Sequence, residues 1–86
     1  ELHVLNTHAK VFLADNYLLI REGLKSLLSA AKGFHIVGEA ENSQELMKGI
    51  KATQPDLLIL DYALPGFFSA EDIKVVNSLS PATRIL

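Results

Sequence analysis

Residues 55–66 read PDLLILDYALPG, and the fold is decided in this stretch. Leu57 to Leu60 is an unbroken apolar run, preceded by Pro55-Asp56 and followed by Asp61. Short runs of this kind, bounded by turn residues, suit a strand packed on both faces of a parallel sheet. Pro65-Gly66 then marks a turn. An acid at the end of a buried strand needs a reason, because an unpaired buried charge is costly. It either caps the next loop by accepting backbone N–H groups or carries chemistry.

Upstream, Lys10 to Ala14 (KVFLA) is a second apolar run, and it stops at Asp15-Asn16. Residues 1–9 form a lead-in, expected as a tail, with the domain spanning residues 10–86. A helix is predicted over Tyr17 to Lys32, with Ile20, Leu24, Leu27, Leu28 and Ala31 facing inward. Arg21, Glu22, Lys25 and Ser29 then face outward, and either Asp15 or Asn16 can cap the helix start. Gly33 supplies a left-handed stop before the strand Phe34 to Ala40. Asn42 and Glu45 resemble a capping box for a short helix carrying Leu46, Met47 and Ile50. That helix ends near Thr53, before Pro55.

Downstream, Ser69 and Asp72 open a third helix with Ile73, Val76 and Leu79 on one face, and Pro81 ends it. Thr83 to Leu86 begins a fourth strand. The order β-α-β-α-β-α-β predicts an α/β fold: a doubly wound parallel sheet with right-handed crossovers. Ligands of such sheets bind beyond the carboxyl ends of the strands. Asp15 and Asp61 both fall there. Two carboxylates at neighbouring strand ends make a hard-oxygen site suited to Mg²⁺.

Composition limits the alternatives. The 86 residues allow one domain at most, and 49% apolar with 21% charged content is globular. A net charge of -2 gives this segment no bulk attraction for nucleic acid or an anionic membrane. The absence of cysteine excludes a disulfide framework and thiolate metal sites. No apolar run is long enough to span a bilayer and no signal pattern opens the chain, so a cytoplasmic location is expected. His3, His8 and His35 lack ligand-like spacing, and Phe67-Phe68 is expected to pack around the loop.

LADN-YLLIREGLKSLL, IVGEAENSQEL and PDLLILDYALPG together resemble the receiver domain of the NarL/FixJ subfamily of response regulators. The likeness runs from Val11 to Leu86. It implies a flavodoxin-like (CheY-like) sheet in strand order 2-1-3-4, stopping before the fifth strand and last helices. It implies that Asp61 accepts a phosphoryl group from a histidine kinase. Mg²⁺ would then be held by Asp15, Asn16, Asp61 and the backbone carbonyl of Ala63. It also implies a homodimer, and DNA binding only through a separate C-terminal domain.

The departures are specific. Asn16 stands where that family usually has Asp, which removes a negative charge from the metal site. Tyr17-Leu18 replaces a usual His-Pro, and Ala63 replaces a residue that is often polar. The hydroxyl residue and the lysine that complete the family's switch are not among these residues. Asn16 therefore keeps a second reading open, a pseudo-receiver that acts as a dimerisation or partner-docking module without phosphorylation. A dehalogenase-type phosphatase would want Asp at position 63, and a flavin module would want a hydroxyl- and glycine-rich loop after the first strand. With the fifth strand and last helices not among these residues, Leu58, Leu60, Ile85 or Leu86 is expected to be exposed or covered by a neighbour.

Overall fold

The computed structural model describes residues 8–67 and 69–86. Seven elements follow in chain order: β1 (Ala9–Ala14), α1 (Leu18–Ala31), β2 (Phe34–Ala40), α2 (Ser43–Thr53), β3 (Leu57–Leu60), α3 (Ala70–Leu79) and β4 (Arg84–Ile85). The sheet order is β2-β1-β3-β4, and every pairing is parallel. The expected fold and strand order are therefore observed. Of the expected lead-in, residues 1–7 lie outside the described residues, as do His3 and Phe68.

Handedness places the helices. The step from β1 to β2 runs one way along the sheet, and the steps from β2 to β3 and β3 to β4 run the other. Right-handed crossovers then put α1 on one face and α2 and α3 on the opposite face. Phe12 and Ala14 pair in register with Leu58 and Leu60. These four pack with Leu46 and Ile50 of α2 and Val76 of α3 in the main core. On the α1 face, Val11 and Leu13 are fully buried, while their partners Leu57 and Ile59 are only half-buried.

The expected exposure is thus corrected in part. Leu86 is exposed, but Leu58 and Leu60 are buried and Ile85 is half-buried. The reason is pleat parity: the even-numbered β3 residues face α2 and α3, which are both present. The thinly covered face carries Leu57 and Ile59 instead.

The orientation of α1 also differs from the periodicity reading. Ile20, Leu27 and Ala31 are exposed, whereas Arg21 is buried and Leu24, Lys25 and Leu28 are half-buried. The inward stripe is 21-24-25-28. A guanidinium can occupy it because it finds three oxygen partners there, which offsets its burial.

The helix starts follow local chemistry. Asn42 accepts the Glu45 N–H at 2.8 Å, and the Glu45 carboxylate accepts from the N–H of Glu41 at 2.9 Å. Ser69 and Asp72, the predicted start of α3, form a capping box there. At α1, however, the N-cap is Tyr17 and no side chain caps it. Asp15 and Asn16 are both displaced from that role by a turn described below.

Phe12 explains two glycines. Its ring lies against Gly38 of β2 and Gly49 of α2, where a Cβ at either position would collide with it. The β1–β2 register shifts between Val11 and Phe12, leaving Val37 as the extra residue and setting Gly38 opposite the ring.

Candidate phosphoacceptor edge

The two acids leave the sheet on adjacent strands. Ala14 pairs with Leu60, and each acid is the next residue of its strand. The Asp61 N–H donates to the Ala14 carbonyl at 2.9 Å, and the Asp15 N–H donates to the Ala40 carbonyl at 3.0 Å. These bonds carry the ladder to the edge, so Asp15 and Asp61 are fixed as neighbours at strand spacing, about 4.8 Å.

Both acids then make the same turn. Asp15 Oδ1 accepts the Tyr17 N–H at 2.8 Å, and Asp61 Oδ1 accepts the Ala63 N–H at 2.9 Å. Each is an aspartate bonding its own backbone two residues on. Loop capping therefore uses one oxygen of each carboxylate. The second oxygen of each accepts no hydrogen bond among the described residues. Both acids are half-buried, open enough for a ligand to reach them.

The loop after Asp61 is fastened at several points. The Leu64 N–H returns to the Asp61 carbonyl at 2.9 Å, and the Phe67 N–H to the Leu64 carbonyl at 3.0 Å. Leu64 and Phe67 are buried in the main core, so Phe67 packs as expected. The Pro65 carbonyl accepts the N–H of Ser43, the first residue of α2, at 2.8 Å. Gly66 sits at φ 84°, and a Cβ there would lie 2.6 Å from Ser43 Oγ. Only glycine meets both the backbone angle and the close approach. Tyr62, Phe67, Ser69, Ala70 and Ile73 line an open hollow of about 370 Å³ beside this loop. Tyr62 is exposed and stands tilted to Phe67 at a ring separation of 6.2 Å.

Charge is organised on the β2 side. Arg21 donates from Nη1 to the Asp15 carbonyl, from Nε to Glu39 at 2.8 Å and from Nη2 to Glu41 at 3.3 Å. Lys25 bonds Glu39 at 2.8 Å and Glu22 at 2.6 Å. The Lys25 hydrogen bond, with that of Arg21, holds the Glu39 carboxyl below its ordinary value against a desolvation that works the other way. Glu22 and then Glu39 raise the Lys25 ammonium above its own ordinary value.

Periodicity placed Arg21 outward, so the sequence reading missed it. The available signal was Glu39 and Glu41, two acids at the end of the strand beside β1. An arginine five residues past the Asp15-Asn16 turn is their natural counter-charge.

The edge carries donors that suit Mg²⁺. Asp15 and Asp61 each offer an uncommitted carboxylate oxygen, Asn16 is exposed, and the Ala63 carbonyl takes no hydrogen bond among the described residues. Mg²⁺ keeps several waters and needs only one or two carboxylates, so this set fits it. A dense protein cage is absent: among the described residues no three His, Cys, Asp or Glu side chains cluster. Nor is any helix among the described residues long and apolar enough to cross a membrane.

Residues 11–86 match the family model described as the response regulator receiver domain. Over 77 residues, 90% of the chain, the sequence is 36% identical to the probable transcriptional regulatory protein NarL of Mycobacterium tuberculosis, strain H37Rv. Over the same share it is 38% identical to protein-glutamate methylesterase/protein-glutamine glutaminase 1 of Carboxydothermus hydrogenoformans. The chain spans 36% and 23% of the lengths of these two relatives. The signal receiver domain of the putative response regulator NarL from M. tuberculosis superposes with a TM-score of 0.81 at 35% identity. That match covers 91% of this chain and 63% of the solved one. With the edge geometry, these likenesses settle the family: the chain belongs to the receiver domains of response regulators, on the NarL side of that family.

Proposed function

We propose that this domain is a phosphoacceptor receiver in which Asp61 takes a phosphoryl group from a phosphohistidine of a histidine kinase. The observation that carries the reading is the Asp61 carboxylate at the sheet edge: one oxygen accepts the Ala63 N–H, the other accepts no hydrogen bond among the described residues, and Asp15 leaves the adjacent strand. In the transfer, the free Asp61 oxygen attacks phosphorus and the phosphorus–nitrogen bond breaks. The electron pair leaves with the imidazole, and an acyl phosphate remains on Asp61. The Asp61–Ala63 bond orients the nucleophile, and the fastened loop holds it at the sheet edge.

Asp15, Asn16, Asp61 and the Ala63 carbonyl would hold Mg²⁺. When bound, that ion offsets the repulsion between carboxylate and phosphoryl group. The output of the whole protein is read as DNA binding through a separate domain, in a cytoplasmic homodimer. The NarL likeness supports the transcriptional part of this reading.

Incubation of the protein with acetyl phosphate and Mg²⁺ tests it by intact mass. One added phosphoryl group is expected, lost in Asp61→Asn and kept in Asp56→Asn. Asp56 is the apt control, since its carboxylate accepts the Lys10 N–H at 2.7 Å at the opposite end of β3. Equal labelling of Asp61→Asn would refute the assignment. Asn16 favours a second reading, a docking module without phosphorylation, because the site carries one negative charge fewer than a paired-acid turn. An unlabelled wild-type protein would favour it.

A further inference from the structure

Arg21 is the only buried charged side chain among the described residues, at 5% exposed, and the transfer chemistry makes no use of it. Its guanidinium serves three oxygens. Glu39 and Glu41 take two N–H groups at the end of β2, and the Asp15 carbonyl takes the third. The Asp15 N–H on the Ala40 carbonyl holds the peptide before Asp15, and Arg21 holds the one after it. Asp15 Oδ1 holds the Tyr17 N–H, and α1 begins with no side-chain cap.

We infer that Arg21 is a positioning residue for the acidic turn, fixing the Asp15 peptide so that the free carboxylate oxygen is presented beside Asp61 to a divalent cation. The inference rests on the cation reading of this edge. A hydrogen bond to the Asp15 carbonyl fixes the plane of the peptide joining Asp15 to Asn16, and both proposed donors hang from that peptide. Order supplied in advance is order the cation need not impose. The planar guanidinium matters here, because a lysine ammonium cannot span three oxygens in that fixed fork.

Charge alone predicts the opposite outcome. Removing Arg21 leaves Glu39 and Glu41 without its positive charge, makes the region more negative and favours cation binding. The positioning role predicts weaker binding. The sign of the change therefore separates the two.

The test is a Mg²⁺ titration by isothermal calorimetry with no phosphodonor, on wild type, Arg21→Gln and Arg21→Lys. Each is held at a temperature where circular dichroism shows it folded. Arg21→Lys keeps the charge and the alkyl stem, which protects the fold if Arg21→Gln fails. Both variants are expected to bind Mg²⁺ about tenfold more weakly, the usual effect of losing a group that orients a ligand. In metal-free protein, hydrogen exchange at the Tyr17 amide should quicken while that at Asp61 stays unchanged. Equal or tighter Mg²⁺ binding by folded variants would overturn the inference. A wild type that binds no Mg²⁺ would overturn the cation reading instead. Tyr17 exchange would then decide the role of Arg21 alone, with unchanged exchange counting against it.

Discussion

The Asp61 N–H donates to the carbonyl of Ala14, the residue immediately before Asp15, at 2.9 Å. One backbone rung thus joins the two acid-bearing strand ends. The β1–α1 turn is thereby held next to Asp61, so a change in its charge acts on the same site through space, and Asn16 is the position where such a change is informative.

Asn16→Asp should tighten Mg²⁺ binding. An added unit charge about 4 Å from a divalent cation is worth ~8 kcal/mol at an effective dielectric of 20, and competition from water ligands reduces this to about 1–2 kcal/mol, or roughly tenfold. Calorimetric titration of wild type and variant measures it. Unchanged or weaker binding would show that Asn16 does not face the cation.

The Glu39 ion pairs give stability a defined pH dependence. The Glu39 carboxyl titrates below its ordinary 4.5 when folded. Its unfolded form therefore binds a proton first as pH falls. The contribution is present above pH 4.5 and is lost as pH drops through the depressed folded value. Lys25 behaves oppositely, contributing below its ordinary 10.5 and losing that contribution above it. Urea midpoints measured from neutral to acid pH should fall less steeply in Glu39→Gln than in wild type. Parallel curves would remove Glu39 as the cause.

Gly49→Ala should destabilise the domain although alanine is the better helix former. The added Cβ meets the Phe12 ring, which is itself buried between α2 and β2. Overpacking of this kind costs about 1–3 kcal/mol, more than the ~1 kcal/mol that alanine gains in helix propensity. Denaturant unfolding checks the sign, and Phe12→Leu should restore part of the loss by shortening the obstructing side chain.

Gly66→Ala should cost about 1–3 kcal/mol, because a non-glycine residue is strained at positive φ. Its Cβ also displaces Ser43. The damage should spread to the Asp61 loop, since the adjacent Pro65–Ser43 bond ties that loop to α2. Faster hydrogen exchange at Ser43 and Leu64 would register it, and exchange at Val11 should be unaffected.

The sequence by itself determined the element order, the parallel sheet and the acid at the end of each of two strands. LLIL and KVFLA are too short and too apolar for surface helices, and their flanking turn residues fix where each strand stops. The Ser69–Asp72 cap was equally legible, because capping depends on residues three apart. The rotation of α1 was decided only by the tertiary structure. Two stripes of that helix were available, and hydrophobicity favoured the one through Ile20, Leu27 and Ala31. The stripe through Arg21 faces inward because Glu39, Glu41 and the Asp15 carbonyl arrive from other parts of the chain to satisfy its guanidinium. The exposure of β3 was settled in the same way. Alternation separates Leu57 and Ile59 from Leu58 and Leu60, but only the packing of α2 and α3 determines which pair is covered. Both decisions depend on contacts between residues distant in sequence, which local periodicity does not encode.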